Sequence, residues 1–465
     1  MTMTWPRLLS QARVDASGRV KKREGEAARS QFQRDWDRLI FSHALRRMHD
    51  KTQVFPLPED DVVHSRLTHS LEAASVGRSL AHAAGAVLIE RHGLRDVTAA
   101  DFGAIVSAAC LAHDIGNPPF GHAGEDAISE FFRQNSVGQQ ALQTLTEAER
   151  SDLTRFEGNA QGFRTLARLQ LEAAGGMRLT AATLATFMKY PRLSGDRAAQ
   201  EAMAKLPKPL RPELKKQGVH LAERDAFRAL CDDVGLLPIE VPGAEAVEAH
   251  ARHPLAYLVE AADDICYSIL DIEDGVRLNL VTAAEAEERL LPIVRRDPHH
   301  RETATVRSPR DRVGLLRAVA INQLVNECVE AFLASESALR EGREARTLKD
   351  VIPSGGELAA LNGFAREKCY QSAPVLEIEL AGYEAIGGLL EDFVDAVVSA
   401  EGKPSTRQKK VLELLRNQSE EESESPEPTR YGRLLRVTDY VSGMTDRYAL
   451  ALYRRVRGIS VPGRL

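Results

Sequence analysis

The sequence predicts a mainly α-helical protein, and three observations carry that prediction. Apolar residues recur at three- and four-residue spacing along most of the 465-residue chain. Runs that alternate apolar and polar at strand period are rare and short. Aromatic residues, which favour sheets, make up only 5%. The elements follow in chain order. Residues 1–30 read as an N-terminal extension without the apolar stretch of a secretory signal. Periodicity places helices over 35–49, 68–91, 99–113, 121–134 and 158–174. The third of these must stop at its predicted end, because Gly116, Pro118 and Pro119 cannot continue it. Segment 203–220, MAKLPKPLRPELKKQGVH, is rich in Pro and Lys and reads as a surface excursion. The helix over 254–272 is apolar yet carries Asp263 and Asp264. Segment 293–312 mixes Arg, Asp, His and Pro without a period. The expected organisation is therefore a helical core over 31–311 and a C-terminal helical section over 312–465. That section carries helices over 312–334 and 432–457, with a flexible loop over 417–429, NQSEEESESPEPT, between them. This loop has too few apolar side chains to offset its own ordering entropy. No internal repeat is visible.

At roughly 150 residues per domain the length allows about three domain-sized units, or one large domain with insertions. Hydrophobic residues at 43% and charged residues at 28% exclude a disordered, collagen-like or disulfide-scaffold chain. Lys and Arg number 61 against 67 Asp and Glu, so the net charge of −6 gives no overall footprint for nucleic acid or an anionic membrane. Cys110, Cys231, Cys266, Cys328 and Cys369 never form a C-x-x-C pair, the pattern of reduced thiols in a cytoplasmic protein. No run approaches the 18 uninterrupted apolar residues that a membrane span needs.

The chemistry is concentrated in a His and Asp set. His69 stands near the start of one helix, His113 and Asp114 are adjacent at the end of the next, and Asp263 and Asp264 lie inside an apolar helix. An ionised carboxylate in such a helix needs a compensating partner, either Arg or Lys or a bound cation. Taken singly, His69 is also an ordinary satisfied core histidine and the Asp pair an ordinary salt bridge. As an ordered set they suit Mn²⁺, Mg²⁺ or Fe²⁺, with positions left for water and a phosphate oxygen.

The order His69, His113–Asp114, Asp263 resembles the metal-binding signature of the HD-domain phosphohydrolase superfamily. KTQVFP at 51–56, RLTHSLE at 66–72, HDIGNPPFGHAGE at 113–125 and FEGNAQG at 156–162 narrow the resemblance. So do EAADDICY at 260–267, DIEDG at 271–275 and DYVSGMTDRYA at 439–449. From about residue 20 to 457 the chain resembles deoxyguanosine triphosphate triphosphohydrolases, the dGTPase family. The resemblance implies an all-α fold in which 31–311 is an HD-domain catalytic core. It also implies hydrolysis of dGTP, or of other dNTPs, at the α-phosphorus to the deoxynucleoside and inorganic triphosphate.

By the same resemblance His69, His113, Asp114 and Asp263 hold one divalent ion, Mn²⁺ or Mg²⁺. His122 is the catalytic histidine and Glu125, one turn on, orients it. From the residues alone, both equally favour the first turn of the helix over 121–134. Arg66, Lys189 and Tyr190 match positions facing the phosphates, and Arg offers the fork that phosphate oxygens favour. Tyr267 and Asp271, four and eight residues after Asp263 on one helical face, match positions that meet the sugar, with Gln53 as a further sugar contact and Asn159 beside the site. Asn117 stands where many HD phosphodiesterases place a histidine for a second metal, and an amide is a poor ligand, so one metal is expected. The stretch around 432–457 is an amphipathic packing helix that the resemblance places over the nucleotide pocket or against a neighbouring subunit. Family members assemble as tetramers or hexamers, and some are tuned by nucleotides or single-stranded DNA. Two other readings share part of the pattern. A 5′-nucleotidase or phosphodiesterase of the superfamily would lack EAADDICY and FEGNAQG, and a non-catalytic nucleotide sensor would have lost ligands that are present here.

Overall fold

The computed structural model describes residues 2–21, 29–55, 63–171, 175–195, 201, 214–241, 247–297, 306, 308–344, 346–417 and 429–459. The fold is all-α. The chain opens with α1 (Trp5–Leu8), α2 (Gln31–Ile40) and α3 (His43–Arg47). The long pair α4 (Arg66–His92) and α5 (Ala99–Ala112) follows, then α6 (Gly121–Gln134), α7 (Ser136–Leu142), α8 (Glu147–Thr154), α9 (Gly158–Arg164) and α10 (Ala181–Phe187). Next come α11 (Arg224–Val234), α12 (Ala256–Arg277), α13 (Ala283–Val294) and α14 (Pro309–Arg340). The chain ends with α15 (Gly355–Ala365), α16 (Ala373–Ser399), α17 (Thr406–Asn417), α18 (Arg430–Ser442) and α19 (Asp446–Val456). The one sheet among the described residues is a two-stranded antiparallel hairpin, β1 (Arg13–Val14) and β2 (Val20–Lys21).

Local chemistry fixes the ends of the helices that carry the site. Ser65 starts α4 by accepting the Thr68 N–H, and Gly93 in the left-handed region ends it. Thr98 and Asp101 cap the start of α5 reciprocally. Buried α4 residues His69, Ala73, Gly77, Leu80, Ala84 and Leu88 repeat at three- and four-residue spacing and face α5 and α12. Their small size allows close approach: a methyl group at Gly77 would lie 2.6 Å from Cys110 Sγ. Two hydrophobic cores result. The larger runs from Met3 to Val375 and is built around α4, α5 and α12. The smaller joins residues of 120–156 to residues of 386–452.

Several expected elements differ in extent. The helix expected over 35–49 starts at Gln31, where Ser30 caps it, and breaks before a second cap at Ser42. That over 158–174 leaves α-geometry after Arg164 in a wider turn, Thr165–Leu169, and residues 172–174 lie outside the described set. The helix over 432–457 is two helices, because Gly443 interrupts it and Thr445 caps a new start. The 27-residue α16 was not anticipated from periodicity, nor were α7, α8, α10, α11, α13, α15 and α17. Of the segment read as a surface excursion, residues 203–213 lie outside the described set. Its end corrects that reading: Leu214, Gln217, Val219 and His220 are buried. The Lys and Pro content misled because His220 and Gln217 find buried partners in Asp152 and the Arg155 carbonyl. Nearly all of the acidic stretch 417–429 lies outside the described residues, as do 22–28 and 298–305. No described helix is long and apolar enough to cross a membrane.

Candidate active site

Two helices and one helix end bring four ligand-type side chains together. His69 sits in the first turn of α4, His113 caps α5 with Asp114 beside it, and Asp263 lies within α12. His69 Nε2 and His113 Nε2 lie 3.1 and 3.4 Å from the same oxygen, Asp263 Oδ1. Ligand atoms of His69, His113 and Asp114 fall within 4.8 Å of one another. His113 Nδ1–H donates to the Cys110 carbonyl at 2.6 Å, which turns Nε2 toward the carboxylates. Asp114 Oδ1 accepts from Asn117 Nδ2 at 2.6 Å, and Oδ2 from Arg66 at 2.5 Å. The electrostatics are those of a cation site. Burial disfavours charge on His113, but Asp114 and Asp263 outweigh it and hold the imidazolium up to about 9. Burial likewise opposes the Asp114 carboxylate, yet Arg66, His113 and His69 bring it down to about 2. The His69, His113 and Asp114 group, with Asp263 Oδ1 against both imidazoles, fits a divalent ion of the Mn²⁺, Mg²⁺ or Fe²⁺ type. Asp264, by contrast, turns away to Lys349 Nζ at 2.7 Å.

Beside this cluster the chain turns through Asn117–Pro118–Pro119–Phe120 into α6. Phe120 and Gly121 both take the left-handed region, with φ of 61° and 57°. The turn delivers His122 to the surface, its side chain 83% exposed, with Nδ1 3.2 Å from Glu125 Oε2. The bond to Glu125 raises the imidazole above its ordinary value. Glu125 is itself buried, and its Oε1 accepts the Gly158 N–H at 2.6 Å. Arg66 lies between the two groups, bonded to Asp114 and with Nη2 2.7 Å from where a side chain on Gly121 would begin.

The expected substrate residues divide. Lys189 Nζ stands 3.8 Å from Asp263 Oδ2 and 3.4 Å from Glu260 Oε1, so it joins the cluster with Arg66. Tyr267 packs its ring 5.7 Å from Tyr370, whose hydroxyl donates to Asp271. Burial pushes Asp271 up to about 8 despite that bond. Gln53 carries a buried Oε1 with no hydrogen-bond partner among the described residues. Asn159 is half-buried in the first turn of α9, next to the Gly158 that binds Glu125. Tyr190 is buried with its ring 5.7 Å from the Arg252 guanidinium and is not brought against the His and Asp cluster by any contact seen.

Comparisons with known proteins agree with this geometry. Residues 66–176 match the HD domain, and residues 355–455 match the phosphohydrolase-associated domain. A Synechocystis sp. protein named deoxyguanosinetriphosphate triphosphohydrolase-like protein is 42% identical over 465 residues, covering 99% of this chain and all of the relative. Proteins of the same name from Pseudomonas aeruginosa and Listeria monocytogenes are 39% and 33% identical, each matched over its whole length and over 99% and 98% of this chain. The chain belongs to the deoxyguanosinetriphosphate triphosphohydrolase-like family. As a family member it is an HD-domain phosphohydrolase, with a His and Asp group of metal-binding type at its centre.

In this HD-domain phosphohydrolase the structure also assembles residues that motif reading passed over. Lys216 Nζ lies 2.8 Å from Glu157 Oε2 and 3.9 Å from Glu125 Oε2, on the segment expected at the surface. Burial and the nearby Glu125 push Glu157 up to about 7. Tyr370 holds Asp271 from the phosphohydrolase-associated domain. Lys51 and Asp446 are buried at the junction of the two matched regions. Lys51 had a signal, its place at the head of KTQVFP. Lys216 and Tyr370 had none in spacing, because their partners are brought in by distant parts of the chain.

Proposed function

We propose that this phosphohydrolase cleaves dGTP, and other dNTPs, to the deoxynucleoside and inorganic triphosphate. One observation carries the reading: His69, His113, Asp114 and Asp263 converge from separate helices with Arg66 and Lys189 on their flanks, a donor set for one cation bordered by phosphate-binding side chains. His69, His113, Asp114 and Asp263 would hold a divalent ion, Mn²⁺ or Mg²⁺, which would supply Lewis-acid polarisation of the α-phosphoryl oxygen and a water of lowered pKa. Arg66, Lys189 and Lys216 neutralise the polyphosphate, Arg66 as a two-pronged donor. Water oxygen bonds to the α-phosphorus, giving up a proton to solvent, and the bond from phosphorus to O5′ breaks. His122, whose hold on a proton the Glu125 carboxylate strengthens, gives its proton to the departing O5′. Tyr267, Asp271 and the orphaned Gln53 Oε1 receive the sugar, with Tyr370 fixing the Asp271 carboxyl group that meets the 3′-hydroxyl.

The test is chromatographic product analysis with dGTP, the other three dNTPs and GTP, in Mn²⁺ or Mg²⁺ and with a chelator control. Deoxynucleoside and triphosphate are expected, lost with chelator. His122→Ala should slow release by about 10²–10⁴-fold while leaving Mn²⁺ binding intact. Formation of dGMP or dGDP, or of no product under any metal condition, overturns the assignment and returns the monophosphate nucleotidase or sensor reading.

A further inference from the structure

The turn that separates the His113–Asp114 pair from His122 is gripped at both ends by buried side chains from outside it. At its start the Asn117 carbonyl accepts from Lys51 Nζ at 2.6 Å, and the same Nζ donates to the Ser442 carbonyl at 2.7 Å, the last residue of α18. At its end the Phe120 N–H donates to Asp446 Oδ1 at 3.0 Å. The other oxygen of Asp446 accepts from the Thr52 N–H at 2.9 Å and from the Thr52 hydroxyl, between Lys51 and Gln53. Lys51 and Asp446 are 4% and 1% exposed, so neither is there for solubility. Phe120 is held with φ 61°, a conformation that costs a non-glycine residue of order 1–3 kcal/mol and persists only where surroundings over-determine it.

We propose that Lys51 and Asp446 are positioning residues that together set the Asn117–Phe120 turn, and with it the placement of His122 relative to the His113–Asp114 pair. Residues 442–446 of the phosphohydrolase-associated domain are thereby part of the catalytic apparatus. Through Thr52 the same carboxylate places Gln53, so one buried group aligns the proton donor with the sugar end of the site. This inference rests on the role proposed above for His122.

The experiment compares Asp446→Asn in the full-length enzyme with and without His122→Ala, at saturating Mn²⁺ and dGTP. The amide keeps one acceptor for Phe120 but presents an N–H₂ to the Thr52 donors. If Asp446 acts through His122, D446N lowers kcat at least about tenfold in the native background and less than about twofold when His122 is already alanine. A merely structural role lowers both by the same factor, and that result overturns the proposal. Should D446N fail to fold, Lys51→Met carries the same comparison. If the native enzyme releases no triphosphate, the functional reading fails by itself. The grip is then read from hydrogen exchange of the Phe120 amide, which must quicken at least about tenfold in D446N or K51M. Unchanged protection overturns it.

Discussion

A methyl group at position 158 would lie 2.0 Å from Asn117 Oδ1 and 2.8 Å from Glu125 Oε1. Both neighbours are committed: Asn117 donates to Asp114, and Glu125 accepts from the Gly158 N–H while holding His122. Gly158→Ala must therefore displace the support of a metal-type ligand and of the proton donor together. We expect kcat to fall at least about tenfold, with a stability loss in the range of about 1–3 kcal/mol typical of overpacking. Steady-state kinetics beside thermal unfolding check this, and a fully active variant would show that the site has slack the distances deny. Single residues also show what a sequence reveals. His69, His113, Asp114 and Asp263 were legible because residue type and order already constrain their chemistry. Lys51 was visible only as the head of KTQVFP and its role was not, since its partners are two carbonyls 66 and 391 residues away, and no spacing rule encodes where a distant backbone oxygen will lie.

Helices were legible where apolar period and end chemistry agree. Ser65 and Gly93 bound α4, and Thr98 bounds α5, close to their expected limits. The 27-residue α16 lacked an N-terminal side-chain cap, and the break before α19 depends on Gly443 and Thr445 inside an otherwise continuous pattern. How elements are joined is less legible still. Just before α4, His64 bonds Asp274 on α12 through Nδ1 at 2.8 Å and Glu72 on α4 through Nε2 at 3.1 Å. Burial lowers its affinity for a proton, but the two carboxylates outweigh it and raise the imidazole from 6.5 to about 10. Because the folded value exceeds the unfolded one, this contribution is fully present below about pH 6.5 and is lost as pH rises toward 10. Glu72 is 40% exposed, so solvent screening reduces the contribution to on the order of 2 kcal/mol. Urea unfolding from pH 6 to pH 9 should show native stability converging on that of His64→Gln as pH rises. A constant difference between the two across that window would remove the imidazolium from the account.

At the scale of the molecule, the smaller core draws on residues 120–156 and on 386–452, so α18 and α19 share a core with the helix that bears His122. Charge as well as apolar surface makes that union. Arg164, at the end of α9, bonds Glu223 at 2.6 Å and Asp439 of α18 at 2.7 Å, and Arg168 adds a second cation to Glu223 at 2.8 Å. Tyr431, on the same helix as Asp439, donates its hydroxyl to the buried Asp152 of α8. A buried ion pair contributes little compared with a well-packed apolar pair, yet removing one partner strands the other. Arg164→Met keeps an unbranched apolar stem but no donor, and among the described residues it leaves Asp439 with the Gln161 amide at 2.8 Å and Glu223 with Arg168. We expect a loss of about 3–5 kcal/mol in urea unfolding. Adding Asp439→Asn removes the stranded charge, so the double variant should recover part of that loss. A double variant that is weaker than R164M by the full cost of D439N alone would mean that the two side chains act independently, and that this ion pair does not hold α18 to α9.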